Sequence, residues 1–358
     1  MKKIILCYLL ASHIISAQEL FGDIDYKPNN EKEFVILEGT DYFRADNVNI
    51  STVRAGKMSL ELTIKKGMNT HLISPIEFVL KGTNKILSDG NLQEIDYCKK
   101  NPNEKFRISY LLSNTHFQIA YKKTYELLFD LRCGEKTQLV FDYDSTGGQV
   151  IGILDIVQKA KAKLETLNLL SFWKKKIKIR WPGSGDYYSF NTVNVTKGYQ
   201  WDVIGHELGH AIYDQANIGV FGGGQHFIDR CYSKALALSE GWASLFSAWL
   251  SVSQSDNDAK FEYMVPRRAP LRFETIPDDV CHSDKNEWRV TGFLWDLIDL
   301  NQDLTDTSQM KIISFWKNSE NQKFRSAKQL AQRFVAKGFD PILMSIIWKQ
   351  NFLTEFEN

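Results

Sequence analysis

The sequence predicts an α+β protein: an N-terminal antiparallel β-domain, sandwich-like, followed by a mainly helical part that keeps a small β-sheet. Three observations carry this. From about Phe21 to Tyr143 hydrophobicity mostly alternates with a period of two. The polar run Asp144-Ser145-Thr146-Gly147-Gly148 then breaks the pattern. Beyond it, apolar residues recur at helical spacing over several segments. The expected divisions are residues 1–17 as a signal peptide, 18–147 as the β-domain and 148–358 as the helical domain.

Lys2 and Lys3 precede an apolar stretch from Ile4 to Ile15, broken at Ser12 and His13, and Ser16-Ala17 offers small residues for cleavage before Gln18. This is a secretory signal pattern, too short to span a membrane. No later stretch approaches about 18 consecutive apolar residues. The expectation is therefore a secreted, periplasmic or extracellular protein with no stable membrane insertion. Losing the two lysines takes the formal net charge from +1 to −1.

With 43% hydrophobic and 24% charged residues, a largely disordered chain is excluded. The near-neutral balance gives no general attraction to nucleic acid or to an anionic membrane. The one basic run, Trp173-Lys174-Lys175-Lys176-Ile177-Lys178, leads into alternating Ile177, Ile179 and Trp181 and reads as the solvated face of a strand. No nucleic-acid partner is expected.

Cys7 leaves with the signal, and Cys98, Cys133, Cys231 and Cys281 remain. Four cysteines in an exported chain allow three pairings. Cys98–Cys133 with Cys231–Cys281 is preferred, because each bridge then stays within one domain. No C-x-x-C occurs, so no cysteine zinc cluster is indicated.

Within the β-part, Ser59–Ile64, Phe106–Tyr110 and Thr137–Phe141 alternate, and Phe117–Tyr121 and Tyr125–Leu131 add strand-like runs. Turns fall at Pro28-Asn29-Asn30, Lys81-Gly82, Asp89-Gly90 and Cys133-Gly134. His71 and His116 stand alone and read as surface or packing residues. The partner of this domain is unknown from sequence. After the break, Ile151, Leu154, Val157, Ala160 and Leu164 share a helix face. A strand at Ile177–Trp181, a turn at Pro182–Gly185 and an edge strand or strand pair over Tyr187–Val195 follow. Helices are expected at 201–216, 235–253, 286–299, 308–318, 326–337 and 341–351, with a Gly-rich loop at 219–224 and a long loop at 254–285.

The first of these helices carries His206-Glu207-Leu208-Gly209-His210. Residues i and i+4 lie on one helix face, so both imidazoles can reach one metal ion. Glu207 projects beside the first histidine, where it can accept a proton from water at the metal. Val203, Ile204, Leu208, Ala211 and Ile212 make the helix a buried one. A hydrolytic zinc site needs a third protein ligand and one open position. Tyr213 and Ala216 stand where a metzincin has Gly and His, so that class is excluded. Glu240, in the apolar helix segment Ala237-Leu238-Ser239-Glu240-Gly241-Trp242-Ala243-Ser244, is the best candidate, since a glutamate there is costly unless paired or coordinating. His226 and Asp229 are the alternatives.

His206-Glu207-Leu208-Gly209-His210, Ser239-Glu240-Gly241-Trp242-Ala243, Glu287-Trp288 and Leu294-Trp295-Asp296-Leu297-Ile298-Asp299 together resemble the gluzincin metallopeptidases, of thermolysin and fungalysin type. The resemblance covers roughly residues 150–350. It implies a thermolysin-like zincin fold for the helical part. It implies one zinc ion held by His206, His210 and Glu240, with Glu207 as general base. It also implies a β-edge near Tyr187–Val195 that aligns a polypeptide substrate. The sequence departs from the family in two places. His210 and Glu240 are further apart than in thermolysin, with 29 residues between them. Ser244 occupies the position of an aspartate that orients a zinc histidine; Asp202, Asp278, Asp279 and Glu287 are candidates to replace it, with Glu287 preferred. The family's oxyanion-stabilising residue would correspond to His282, with Arg289 and Tyr213 as lesser candidates.

Asp299-x-Asn301-x-Asp303 begins like a calcium loop, but Leu304 and Met310 stand where Gly and Glu are needed, so a solvated helix end is the expectation. The function expected is a secreted zinc metalloendopeptidase. The alternative is a weak or inactive relative serving as an extracellular binding module, for which Ser244 and the unsettled oxyanion donor are the arguments.

Overall fold

The computed structural model describes residues 42–80, 85–222, 224, 226–301 and 310–357. The signal segment, the turns at Pro28–Asn30 and Lys81-Gly82, and Asp303 and Leu304 lie outside them. The described residues form a mixed α and β structure around one continuous core that runs from Met58 and Leu60 to Trp348 and Phe352.

The longest strand, Lys57–Lys66, alternates less than a surface strand would, and Met58 to Leu60, Leu62 and Thr63 are all buried. It is covered on both faces, as a central strand must be. Glu135–Asp142 lies beside it in parallel, pairing Leu139 with Leu62, while Asn47–Thr52 and Asn69–Leu72 close the sheet antiparallel on either side. A second sheet orders Tyr42–Phe43, Glu126–Arg132 and Lys105–Leu111, again with one parallel and one antiparallel pairing. The expectation of antiparallel sheets is thus corrected to mixed ones. Alternation fixes which face of a strand is buried, not the direction of its neighbour.

A four-stranded sheet orders Tyr187–Ser189, Thr192–Asn194, Ile177–Arg180 and Phe117–Ala120. Its last strand comes from before residue 147 and the others from after it, so this sheet crosses the expected division. Ile177, Ile179 and Trp181 are buried while Arg180 is exposed, as the alternation in the lysine-rich run requires.

Helix α1 (Asp96–Lys100) carries Cys98 into the core, where it bridges to Cys133 with a Cα–Cα distance of 5.3 Å. Helix α2 (Thr146–Thr166) begins at the polar run that resembles a linker. Ser145 caps it, its Oγ accepting from the Gly148 N–H at 2.9 Å. Gly148 is required by contact: a Cβ there would sit 1.8 Å from the Asp142 carbonyl oxygen. The run is therefore a helix start packed against a strand end. Helices α3 (Trp201–Gln215), α4 (Lys234–Ser251) and α5 (Glu287–Asp296) follow, then α6 (Ile312–Ser319), α7 (Ala327–Ala336) and α8 (Pro341–Phe352). Most lie within a few residues of the expected bounds; α5 ends at Asp296, short of 299.

The loop at 254–285 contains a short antiparallel pair, Lys260–Phe261 with Leu271–Arg272. Cys231 and Cys281 are bridged, with Cα atoms 5.7 Å apart. Both cysteine pairings match the expectation. Asp299 is 3% exposed and Leu300 71%, so within the described residues this helix end is buried at Asp299 and solvated at Leu300. No helix among the described residues is long and apolar enough to cross a membrane.

Candidate metal centre

Helices α3 and α4 pack against each other, and glycines set how closely. A Cβ on Gly209 would lie 2.8 Å from the Ala243 carbonyl oxygen, and one on Gly205 would lie 2.4 Å from Ser247 Oγ. This approach places the two histidine side chains of α3 against Glu240 of α4. His206 Nε2 and His210 Nε2 lie 3.1 and 3.0 Å from Glu240 Oε2 and 3.0 Å from each other. All three residues are buried.

These distances fit a cation better than a set of hydrogen bonds. Two imidazole nitrogens and a carboxylate oxygen are three acceptors unless protonated, and protons cannot satisfy every edge of such a triangle. A tetrahedral zinc ion with bonds of about 2.0–2.1 Å spaces its ligands by roughly 3.3 Å. Among the described residues, Glu207 Oε2 is buried without a hydrogen-bond partner, as a group reserved for a water or substrate proton would be. The residues present therefore fit a zinc ion.

The electrostatics follow from burial. Burial alone would raise the Glu240 carboxyl, but His210, His206 and His226 around it hold it well below the usual carboxylate range. Burial pushes His206 down to about 4, against the opposing pull of Glu240, so its imidazole is neutral and available as a ligand at pH 7. Glu207 is raised well above its ordinary value, first by burial and then by Glu240 and Asp186, with the Tyr188 N–H opposing.

The Tyr187–Ser189 strand, at the edge of its sheet, is held against α3 at two points. The Tyr188 N–H donates to Glu207, and the Tyr188 hydroxyl donates to Asp214 at 2.7 Å. Phe221 forms an apolar wall beside them, its ring centroid 5.7 Å from that of His210 and 6.2 Å from that of Tyr188.

A sequence-family model described as Mycolysin C-terminal domain matches residues 159–337. The chain belongs to that family. The Mycolysin C-terminal domain occurs in metallopeptidases of the thermolysin and fungalysin kind, so the expected kinship holds at this coarser level. The matched stretch contains His206, Glu207, His210 and Glu240. No curated protein shows a significant match.

In this member of the Mycolysin C-terminal domain family, Ser244 itself takes the orienting position. Its Oγ lies 3.1 Å from His206 Nδ1, one helical turn beyond Glu240 on the same face of α4. The carboxylates expected to replace it are occupied elsewhere. Asp202 Oδ2 accepts from the N–H groups of Glu262, Tyr263 and Met264. Asp278 and Asp279 are exposed, and Asp279 pairs with Arg268. Glu287 lies 3.3 Å from His226 Nε2.

His282 is not brought to the cluster. It is exposed, and its Nε2 bonds the Asp278 carbonyl at 2.9 Å. The turn before α5 directs it outward, although the neighbouring Cys231–Cys281 bridge forms as expected. Arg289 is turned inward and donates to the carbonyls of Cys281, Asn351 and Val280 at 2.9–3.0 Å. Tyr213 packs on Trp242 with ring centroids 5.5 Å apart, inside the core. Asp229 is held by Arg267 and Arg268, which keep its carboxyl low. His226 is the residue that sequence reasoning underrated. It is buried, with Nε2 3.9 Å from Glu240 Oε2. Its only sequence signal is a histidine following a glycine run, which no periodicity distinguishes.

Proposed function

We propose that the chain is a secreted zinc-dependent metalloendopeptidase. The observation that carries this is the convergence of His206 Nε2, His210 Nε2 and Glu240 Oε2 within about 3 Å of one another, on two rigid buried helices beside the unpartnered Glu207 oxygen. His206, His210 and Glu240 would hold the zinc ion. When bound, zinc supplies Lewis acidity, lowering the pKa of water at its open position and polarising a carbonyl. Glu207 takes a proton from the attacking water and returns it to the leaving amine. Its Oε2, buried without a hydrogen-bond partner among the described residues, is placed for both transfers. The Tyr187–Ser189 strand is at the edge of its sheet, and an extended polypeptide would lie along that edge beside α3. Two disulfides fit an oxidising extracellular compartment.

The contact of Ser244 with His206 speaks for a working site, while the outward-facing His282 is the observation that favours the second reading, an inactive binding module. The test is zinc analysis together with casein cleavage. Stoichiometric zinc, cleavage lost on chelation and restored by zinc, and a rate drop of about 10²-fold or more in Glu207→Gln with zinc retained are expected. A chain that binds zinc and cleaves no polypeptide would sink the peptidase reading.

A further inference from the structure

Glu240 faces a second set of ligand-type atoms. His226, Glu240 and Glu287 are all buried, and one donor atom from each lies within 4.8 Å of the others. His226 Nε2 is 3.3 Å from Glu287 Oε2 and 3.9 Å from Glu240 Oε2. On the other side of the ring, His226 Nδ1 lies 3.0 Å from the Gly224 carbonyl oxygen, an acceptor, so Nδ1 carries a proton. Nε2 faces two carboxylates in a buried cluster, and a cation between them, a metal ion or a proton, balances their charge. A histidine whose far nitrogen is fixed by a backbone carbonyl is also the usual arrangement of a metal ligand.

The loop that carries His226 is built to hold it. Asn286, the N-cap of α5, donates from Nδ2 to the carbonyls of Ile228 and Arg230 at 2.7 and 2.9 Å. The Cys281 N–H bonds the Asp229 carbonyl at 2.9 Å, and Cys231–Cys281 bridges the same two segments. Asp229 is clamped by Arg267 and Arg268. Glu287 opens α5 directly after Asn286, so one set of restraints positions both His226 and Glu287. Such preorganisation lowers the entropic cost of gathering ligands at a shared ion.

We infer that His226, Glu240 and Glu287 form a second divalent transition-metal site, of zinc type by its nitrogen and oxygen donors, which shares Glu240 with the first. Through Glu240 this rests on the zinc reading above, but the two can fail separately.

Zinc per chain is to be counted by native mass spectrometry after reconstitution of the full chain and removal of excess metal. About two ions are expected for the wild type, and about one for His226→Ala, for Glu287→Gln and for His210→Ala. Circular dichroism checks that each variant is folded, and Glu287→Gln, nearly isosteric, serves if His226→Ala is not. A single wild-type ion that survives His226→Ala and Glu287→Gln but is lost in His210→Ala would overturn this inference and leave the first site standing. That outcome would mean a proton, not a metal, sits between His226 and Glu287. Two ions that neither variant reduces would also overturn it, and a wild type that binds no zinc would sink both readings.

Discussion

The Ser244 hydroxyl lies 3.1 Å from His206 Nδ1 and so fixes the orientation of an imidazole on a neighbouring helix. Nδ1 is thereby engaged while Nε2 faces Glu240 and His210. A hydroxyl can do this without adding charge to a cluster that already contains Glu240 and Glu207.

Removing that hydroxyl should weaken metal binding. In Ser244→Ala, His206 Nδ1 is left buried and unpaired, at a cost of about 1–3 kcal/mol. Zinc affinity should fall roughly 10–100-fold, as for other groups that orient a metal-bound histidine. Competition titration against a chelator of known affinity measures this, and an unchanged dissociation constant would refute the orienting role.

Gly209 sets the distance between α3 and α4. In Gly209→Ala the new methyl would meet the Ala243 carbonyl oxygen at 2.8 Å and Ala243 Cα at 2.9 Å, and backbone cannot yield as a flexible side chain can. Alanine's helix propensity would favour the variant by about 1 kcal/mol. Overpacking should outweigh it and give a net loss of about 1–3 kcal/mol. Because Glu240 travels with α4, zinc affinity should drop in parallel. Urea denaturation and zinc titration check both effects, and a variant as stable as the wild type would show that the helices can separate freely.

Asp155 provides a pH-dependent tie between α2 and the preceding sheet. Burial alone would raise its carboxyl, but His71 at 3.3 Å, Lys159 at 2.7 Å and the Ser74 N–H at 2.7 Å bring it down to about 2. A carboxyl depressed in the folded state stabilises it fully above its unfolded value near 3.8, and this stability is lost as pH falls through about 2. The contribution at pH 7 is about 2 kcal/mol. Asp155→Asn should therefore be less stable than the wild type at pH 7, with the gap closing as pH is taken from about 5 toward 2. Chelator-treated samples keep metal release out of the comparison, and a gap independent of pH would contradict the assignment.

The sequence by itself determined the elements and the centre of the site. Helical spacing located α3, α4, α7 and α8 to within a few residues, and alternation located the main strands, because both patterns record which side chains must leave water. His206, Glu207 and His210 were fixed by spacing on one helix, a local geometry. Glu240 could be named because a carboxylate in so apolar a helix needs a partner.

What only the tertiary structure decided depends on contacts between distant segments. Strand direction was one case: Leu139 pairs in parallel with Leu62, and no local period encodes that. The run at 144–148 was another, since Gly148 is there for its approach to the Asp142 carbonyl rather than for flexibility. The inward placement of His226, beside Glu240, and the outward placement of His282 were the third. Both are loop histidines of equal standing in the sequence, and only the turn before α5, the Asn286 bonds and the loop path place one inside and the other in solvent. Periodicity reports burial along one segment, whereas a site is assembled where several segments meet.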